Sequence, residues 1–167
     1  LTALLFALWV LAAAIWGPDG SDNALPGAFY VLLWVGLVAL SVCVGPVWRL
    51  LSPARTVYRI CGIVRRKGRE ASGRSYPQGW GYWPAAFGLF AFVWLELASP
   101  DPGSLAAIKA WLLIYVLVMG IGAWVFGARW FARADPFEVY SMAVSRLSPF
   151  RRAPGSGQIE LVNPLDH

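Results

Sequence analysis

Two ionisable side chains interrupt stretches that are otherwise apolar. Glu96 stands three residues before Ser99 and Lys109 five residues after Ser104, which puts both roughly one helical turn from the short connection between them. A charge at the centre of a bilayer costs about 2.5 to 3.5 kcal/mol on insertion scales, so ionisable residues in such stretches are weighed first as function. A proton or ion pathway is the sharper chemistry this pair could serve. Snorkelling of each group to the interface, or pairing of the two, is the simpler reading and the preferred one. The rest of the reactive inventory is thin. His167 is the single histidine, and the sequence contains no G-x-S-x-G elbow, no P-loop and no paired carboxylates on one helical face. Cys43 falls in an apolar stretch and Cys61 in a basic one, so neither a disulfide nor a metal site is expected, and no cofactor is implied.

The second candidate is electrostatic. Thirteen of the fourteen Lys and Arg residues fall in two stretches, residues 49–74 and 129–152, whereas the other short connections carry only Asp19, Asp22 and Asp101. That is the positive-inside pattern of a multi-pass membrane protein. It places residues 48–80 and 128–167, and the N-terminus of this sequence, on the cytoplasmic side of the plasma membrane. Arg55, Arg59, Arg65, Arg66, Lys67 and Arg69 make the densest basic group and are the candidate lipid-facing cluster. The net charge of +5 would suggest nucleic acid for a soluble chain. In juxtamembrane loops its partner is instead the anionic headgroups of the bilayer, and nucleic acid is not expected.

The elements that must position these residues are apolar helices. Hydrophobic residues make up 58% of the chain and charged residues 14%, with a mean hydropathy of +0.56. Four segments are long and apolar: residues 1–16, 27–47, 83–98 and 105–126. The second, 21 residues at about 1.5 Å each, extends about 31 Å and matches a hydrocarbon core. Uniform apolarity without ten-residue alternation predicts helices, not barrel strands. Gly36, Gly120 and Gly122 read as places of close helix packing.

The chain also repeats itself at an offset of 82 residues. Gly17-Pro18-Asp19-Gly20 falls on Ser99-Pro100-Asp101-Pro102, Gly45 and Trp48 on Gly127 and Trp130, and Val57-Tyr58 on Val139-Tyr140. The expected fold is therefore all-α and polytopic, with four transmembrane helices as two parallel-repeat hairpins and cytoplasmic amphipathic helices. Residues 1–82 form the first hairpin with its basic segment, 83–152 the second with a cytoplasmic helix, and 153–167 a polar tail. Asp135-Pro136-Phe137-Glu138 predicts a helix start, with Asp135 as N-cap, Pro136 at N1 and Glu138 reaching back as in a capping box. Ser52-Pro53 opens the corresponding stretch, where Val57, Ile60, Cys61 and Val64 make an apolar stripe beside Arg55, Arg59 and Arg66. Both helices are expected to lie in the membrane surface. The apolar start at Leu1 and the ending Asn163-Pro164-Leu165-Asp166-His167 are read as those of a piece of a longer protein.

Several stretches carry a resemblance: Gly45-Pro46-Val47-Trp48-Arg49-Leu50-Leu51-Ser52-Pro53, Gly81-Tyr82-Trp83-Pro84, residues 90–102, Ala134-Asp135-Pro136-Phe137-Glu138-Val139-Tyr140 and Asn163-Pro164-Leu165. Across most of its length the chain resembles a family of actinobacterial multi-pass membrane proteins, some labelled fenitrothion hydrolase. The resemblance implies the membrane fold and, through that label, an organophosphate hydrolase or hydrolase subunit with its site outside this piece. It carries over no catalytic residue. The residues themselves favour a non-catalytic integral membrane protein, a transporter-like, scaffold or assembly component whose partners would be further membrane subunits or a second copy.

Overall fold

The computed structural model describes residues 2–18, 23–65, 74–100, 104–152, 159–161 and 163. These are mostly helical. Helix α1 (Thr2–Trp16) ends at a turn closed by Asn23, whose Nδ2 donates to the carbonyls of Ala13 at 3.1 Å and Pro18 at 3.0 Å. The same side chain accepts from Leu25 N at 2.8 Å and so caps the next helix. That helix is continuous from Ala24 to Val44. It starts as α2 (Ala24–Pro26), passes through a π-helical stretch (Gly27–Gly36) and ends as α3 (Leu37–Val44).

After Gly45 come α4 (Trp48–Leu51) and α5 (Pro53–Arg65), and after a 3-10 turn (Gln78–Trp80) come α6 (Trp83–Leu97) and α7 (Leu105–Phe126). Two helices, Ala24–Val44 and Leu105–Phe126, are long and apolar enough to cross a membrane. Helices α1 and α6 are apolar but shorter.

Beyond α7 the chain does something the sequence did not announce. It reverses at Gly127, and α8 (Ala128–Ala134) runs back alongside α7 and α6 before α9 (Pro136–Ser145) turns down between α3 and α6. The climb is visible in the contacts. Trp130 lies against Gly122 and stacks on Phe126 at 5.4 Å, whereas Asp135, five residues further on, reaches Tyr115, half-way along α7. Tyr115 is eleven residues, or about 16 Å, from the end of that helix. Helix α9 was expected along the surface, but Pro136, Phe137, Glu138 and Ser141 are all buried. Phe137 fills an aromatic core with Phe92, Trp111 and Tyr115, at ring distances of 5.4, 5.6 and 5.7 Å. Such pairs add about 0.5 to 1.5 kcal/mol each beyond area burial, which is why the helix goes in.

Helix α5 packs on α1 and α7 with Ala54, Arg55 and Tyr58 inward, and its apolar stripe of Val57, Ile60 and Cys61 faces out. A short antiparallel pair joins the end of the second expected unit to the expected polar tail, β1 (Phe150–Arg152) with β2 (Ile159–Leu161), in which Phe150 faces Leu161.

The molecule's exterior is more apolar than that of a water-soluble domain, and several polar groups share the interior with its apolar core. Trp16, Val44, Leu97 and Trp124 are each more than two-thirds exposed, while Asn23, Ser41, Ser52, Arg55, Asp135, Glu138 and Ser141 are buried.

Candidate functional site: a buried polar network

Apart from Asn23 at the α1–α2 turn, most of the polar groups enclosed among the described residues gather around the inserted α8–α9 hairpin. At its tip Asp135 is fully buried and accepts four hydrogen bonds. Oδ1 takes the amides of Phe137 (3.0 Å) and Glu138 (3.4 Å), as an N-cap should. Oδ2 takes the indole N–H of Trp48 at 3.0 Å and the Tyr115 hydroxyl at 3.1 Å. The cap was legible in the sequence; the two aromatic donors were not, because Trp48 lies 87 residues away along the chain.

One turn further on, Glu138 does not reach back to close a capping box. Its two oxygens accept from Nη2 of Arg55 at 2.7 and 2.6 Å, and both side chains are less than a tenth exposed. The Arg55 guanidinium also lies 5.3 Å from the Phe131 ring centroid, so its charge is met by a carboxylate and an aromatic face. Below this pair the Ser41 and Ser141 hydroxyls meet at 2.8 Å, and Ser141 accepts the Trp48 amide at 3.3 Å. Four elements, α3, α4, α5 and α7, thus hold α9 through polar contacts that lipid or water would otherwise contest.

The two junctions in this network match in backbone. Gly45 (φ 100°, ψ −160°) and Gly127 (φ 67°, ψ −154°) occupy a region open essentially only to glycine. Ser52 (φ −61°, ψ 114°) and Asp135 (φ −74°, ψ 113°) each begin a Pro-led helix, and the Ser52 hydroxyl accepts the Arg55 amide at 3.3 Å.

The residues singled out from sequence fare unevenly. Arg55 is not lipid-facing: its burial against Glu138 removes it from the basic cluster, because an unpaired guanidinium there would be far costlier than a paired one. Arg59 is exposed. Arg65 ends α5, and Arg66, Lys67 and Arg69 lie outside the described residues. Glu96 and Lys109 are both half-buried, and no ion pair joins them. Glu96 Oε2 is buried without a hydrogen-bond partner. A Cβ on Gly122 would lie 2.0 Å from the Trp130 ring, so this glycine admits an indole of the hairpin, whereas Gly120 faces open space.

The signal that could have found the Arg55–Glu138 pair was present. Ser52-Pro53-Ala54-Arg55 and Asp135-Pro136-Phe137-Glu138 carry opposite charges three residues after equivalent caps. No family model, curated protein or solved structure matches this chain.

Proposed function

We propose that this chain is a multi-pass integral membrane protein of the plasma membrane that serves as a transporter-like or scaffold component. Four helices cross the bilayer as two parallel-repeat hairpins, residues 1–82 and 83–152, and the α8–α9 hairpin re-enters from the cytoplasmic side. The observation that carries this reading is the apolar exterior: large apolar side chains face outward on every long helix, while an ion pair and hydroxyl groups are enclosed beside the aromatic core. Non-helical backbone at membrane depth is tolerated only where protein encloses it, as the bundle encloses the Asp135 junction. The matching dihedrals at Gly45 and Gly127, 82 residues apart, support the duplication. The exposed Arg59 and the neighbouring basic residues would meet anionic headgroups.

Cysteine accessibility tests the topology. In a background without Cys43 and Cys61, cysteines at Ser21 and Ser104 should react with an impermeant reagent added outside intact cells, and cysteines at Ser72 and Ser156 should not. The opposite result for either pair would overturn the arrangement.

A further inference from the structure

Helices α6 and α7 lie antiparallel, with Phe92 beside Trp111 and Trp80 beside Phe126, but they are unequal. Helix α6 has 15 residues and α7 has 22, so α6 is shorter by about 10 Å. The 3-10 turn and α8 fill the resulting step. There the Arg133 guanidinium lies 4.7 Å from the centroid of the Tyr82 ring. Arg133 is exposed and pairs with no carboxylate among the described residues, and Arg129, one turn earlier on the same face of α8, is exposed as well.

Beside Tyr82 is a shallow hollow of about 320 Å³, lined by Gly79, Gly81, Tyr82, Trp83 and Ala86. A Cβ on either glycine would meet nothing within 4 Å, so the space is open. From its edge Trp83, Phe87, Phe90, Trp94 and Leu97 follow one another along one face of α6, each more than half exposed.

In the membrane reading the depth of this step follows from its backbone. Exposed irregular backbone does not occur in the hydrocarbon region, so residues 78–82 belong at headgroup level, where the exposed Trp80, Tyr82 and Trp83 form an interfacial belt. The stripe beyond them enters the hydrocarbon. From Trp83 to Trp94 it runs about 16 Å, close to half of a core about 30 Å thick. A cation at headgroup depth, followed by an apolar track one leaflet deep, complements a phosphate followed by an acyl chain.

We propose that this step seats one anionic phospholipid of the cytoplasmic leaflet. Arg133 takes the headgroup phosphate through its guanidinium fork, held in place by the Tyr82 ring. The glycerol enters the hollow, and an acyl chain lies along the α6 stripe. This rests on the membrane reading above and deepens it, because it assigns a particular lipid class to a site apart from the basic residues of α5.

The test is native mass spectrometry of the full chain in a nonionic detergent, titrated with palmitoyl-oleoyl phosphatidylglycerol and, as reference, with phosphatidylcholine of the same chains. The first phosphatidylglycerol should bind about tenfold more tightly, the worth of one charge-assisted contact. Arg133→Gln should abolish that preference. Ala86→Trp, a change at an exposed position that fills the hollow, should weaken both lipids and tests the seat independently of Arg133. Arg59→Gln removes an exposed charge from α5 and should leave the first lipid unaffected. Equal affinities for the two lipids would overturn the site, as would equal losses in Arg59→Gln and Arg133→Gln, the mark of diffuse basic attraction. Displacement of the first lipid by millimolar inorganic phosphate would also overturn it, in favour of a free-anion site. Cysteine labelling at Ser21 and Ser104 involves none of these residues, so failure of the lipid site and failure of the topology are separately visible.

Discussion

Arg55 and Glu138 each stand three residues after the cap of a Pro-led helix, and they pair with one another at 2.6 Å inside the bundle. This pair ties residues 83 positions apart in sequence and joins the two proposed units at their centre.

Breaking that pair from one side should be worse than removing it. Glu138→Gln or Arg55→Met alone leaves a buried charge unmatched and should cost about 3 to 5 kcal/mol, whereas the double variant Arg55→Met/Glu138→Leu should fall near the wild type. Thermal unfolding in detergent micelles measures all three. A double variant as unstable as the singles would mean that the pair is a net source of stability.

Gly122→Ala should loosen the hairpin, because the added Cβ would lie 2.0 Å from the Trp130 ring. The expected loss is about 1 to 3 kcal/mol, as for other overpacked sites. Gly120→Ala meets nothing within 4 Å and serves as the control. Equal melting temperatures for the two variants would show that α8 does not rest on α7 as described.

Alanine at Gly45 or Gly127 forces a side chain into a backbone region of positive φ that L-residues avoid, at a cost of about 1 to 3 kcal/mol each. The effects should be similar at the two sites and nearly additive. A large effect at one and none at the other would argue against equivalent turns.

Trp48→Phe keeps an aromatic ring to pack on Phe137, now 5.2 Å away, but deletes the N–H that reaches Asp135. A bond to a neutral carboxyl is worth about 0.5 to 1.5 kcal/mol and one to a carboxylate about 1.5 to 3 kcal/mol. Unfolding at acidic pH should therefore give the smaller loss. A loss of the same size at acidic and neutral pH would mean that the charge on Asp135 does not set the strength of this bond.

The sequence by itself determined the helical class, the apolar stretches and the chemistry of the helix starts. These are local properties: hydropathy accumulates along a segment, and Asp135-Pro136 caps and initiates whatever lies around it. It also determined that Arg55 and Glu138 hold matching places after Ser52 and Asp135. Tertiary structure alone decided where those places point. Helix α9 is expected along the membrane surface, but a helix enclosed by α3, α4 and α6 buries its polar side chains too, so Glu138 and Ser141 lie inside. Arg55 left the basic cluster for the same reason. Desolvation makes a buried charge depend on one specific partner, and that partner was set by a chain reversal at Gly127 whose consequences lie 83 residues from Arg55.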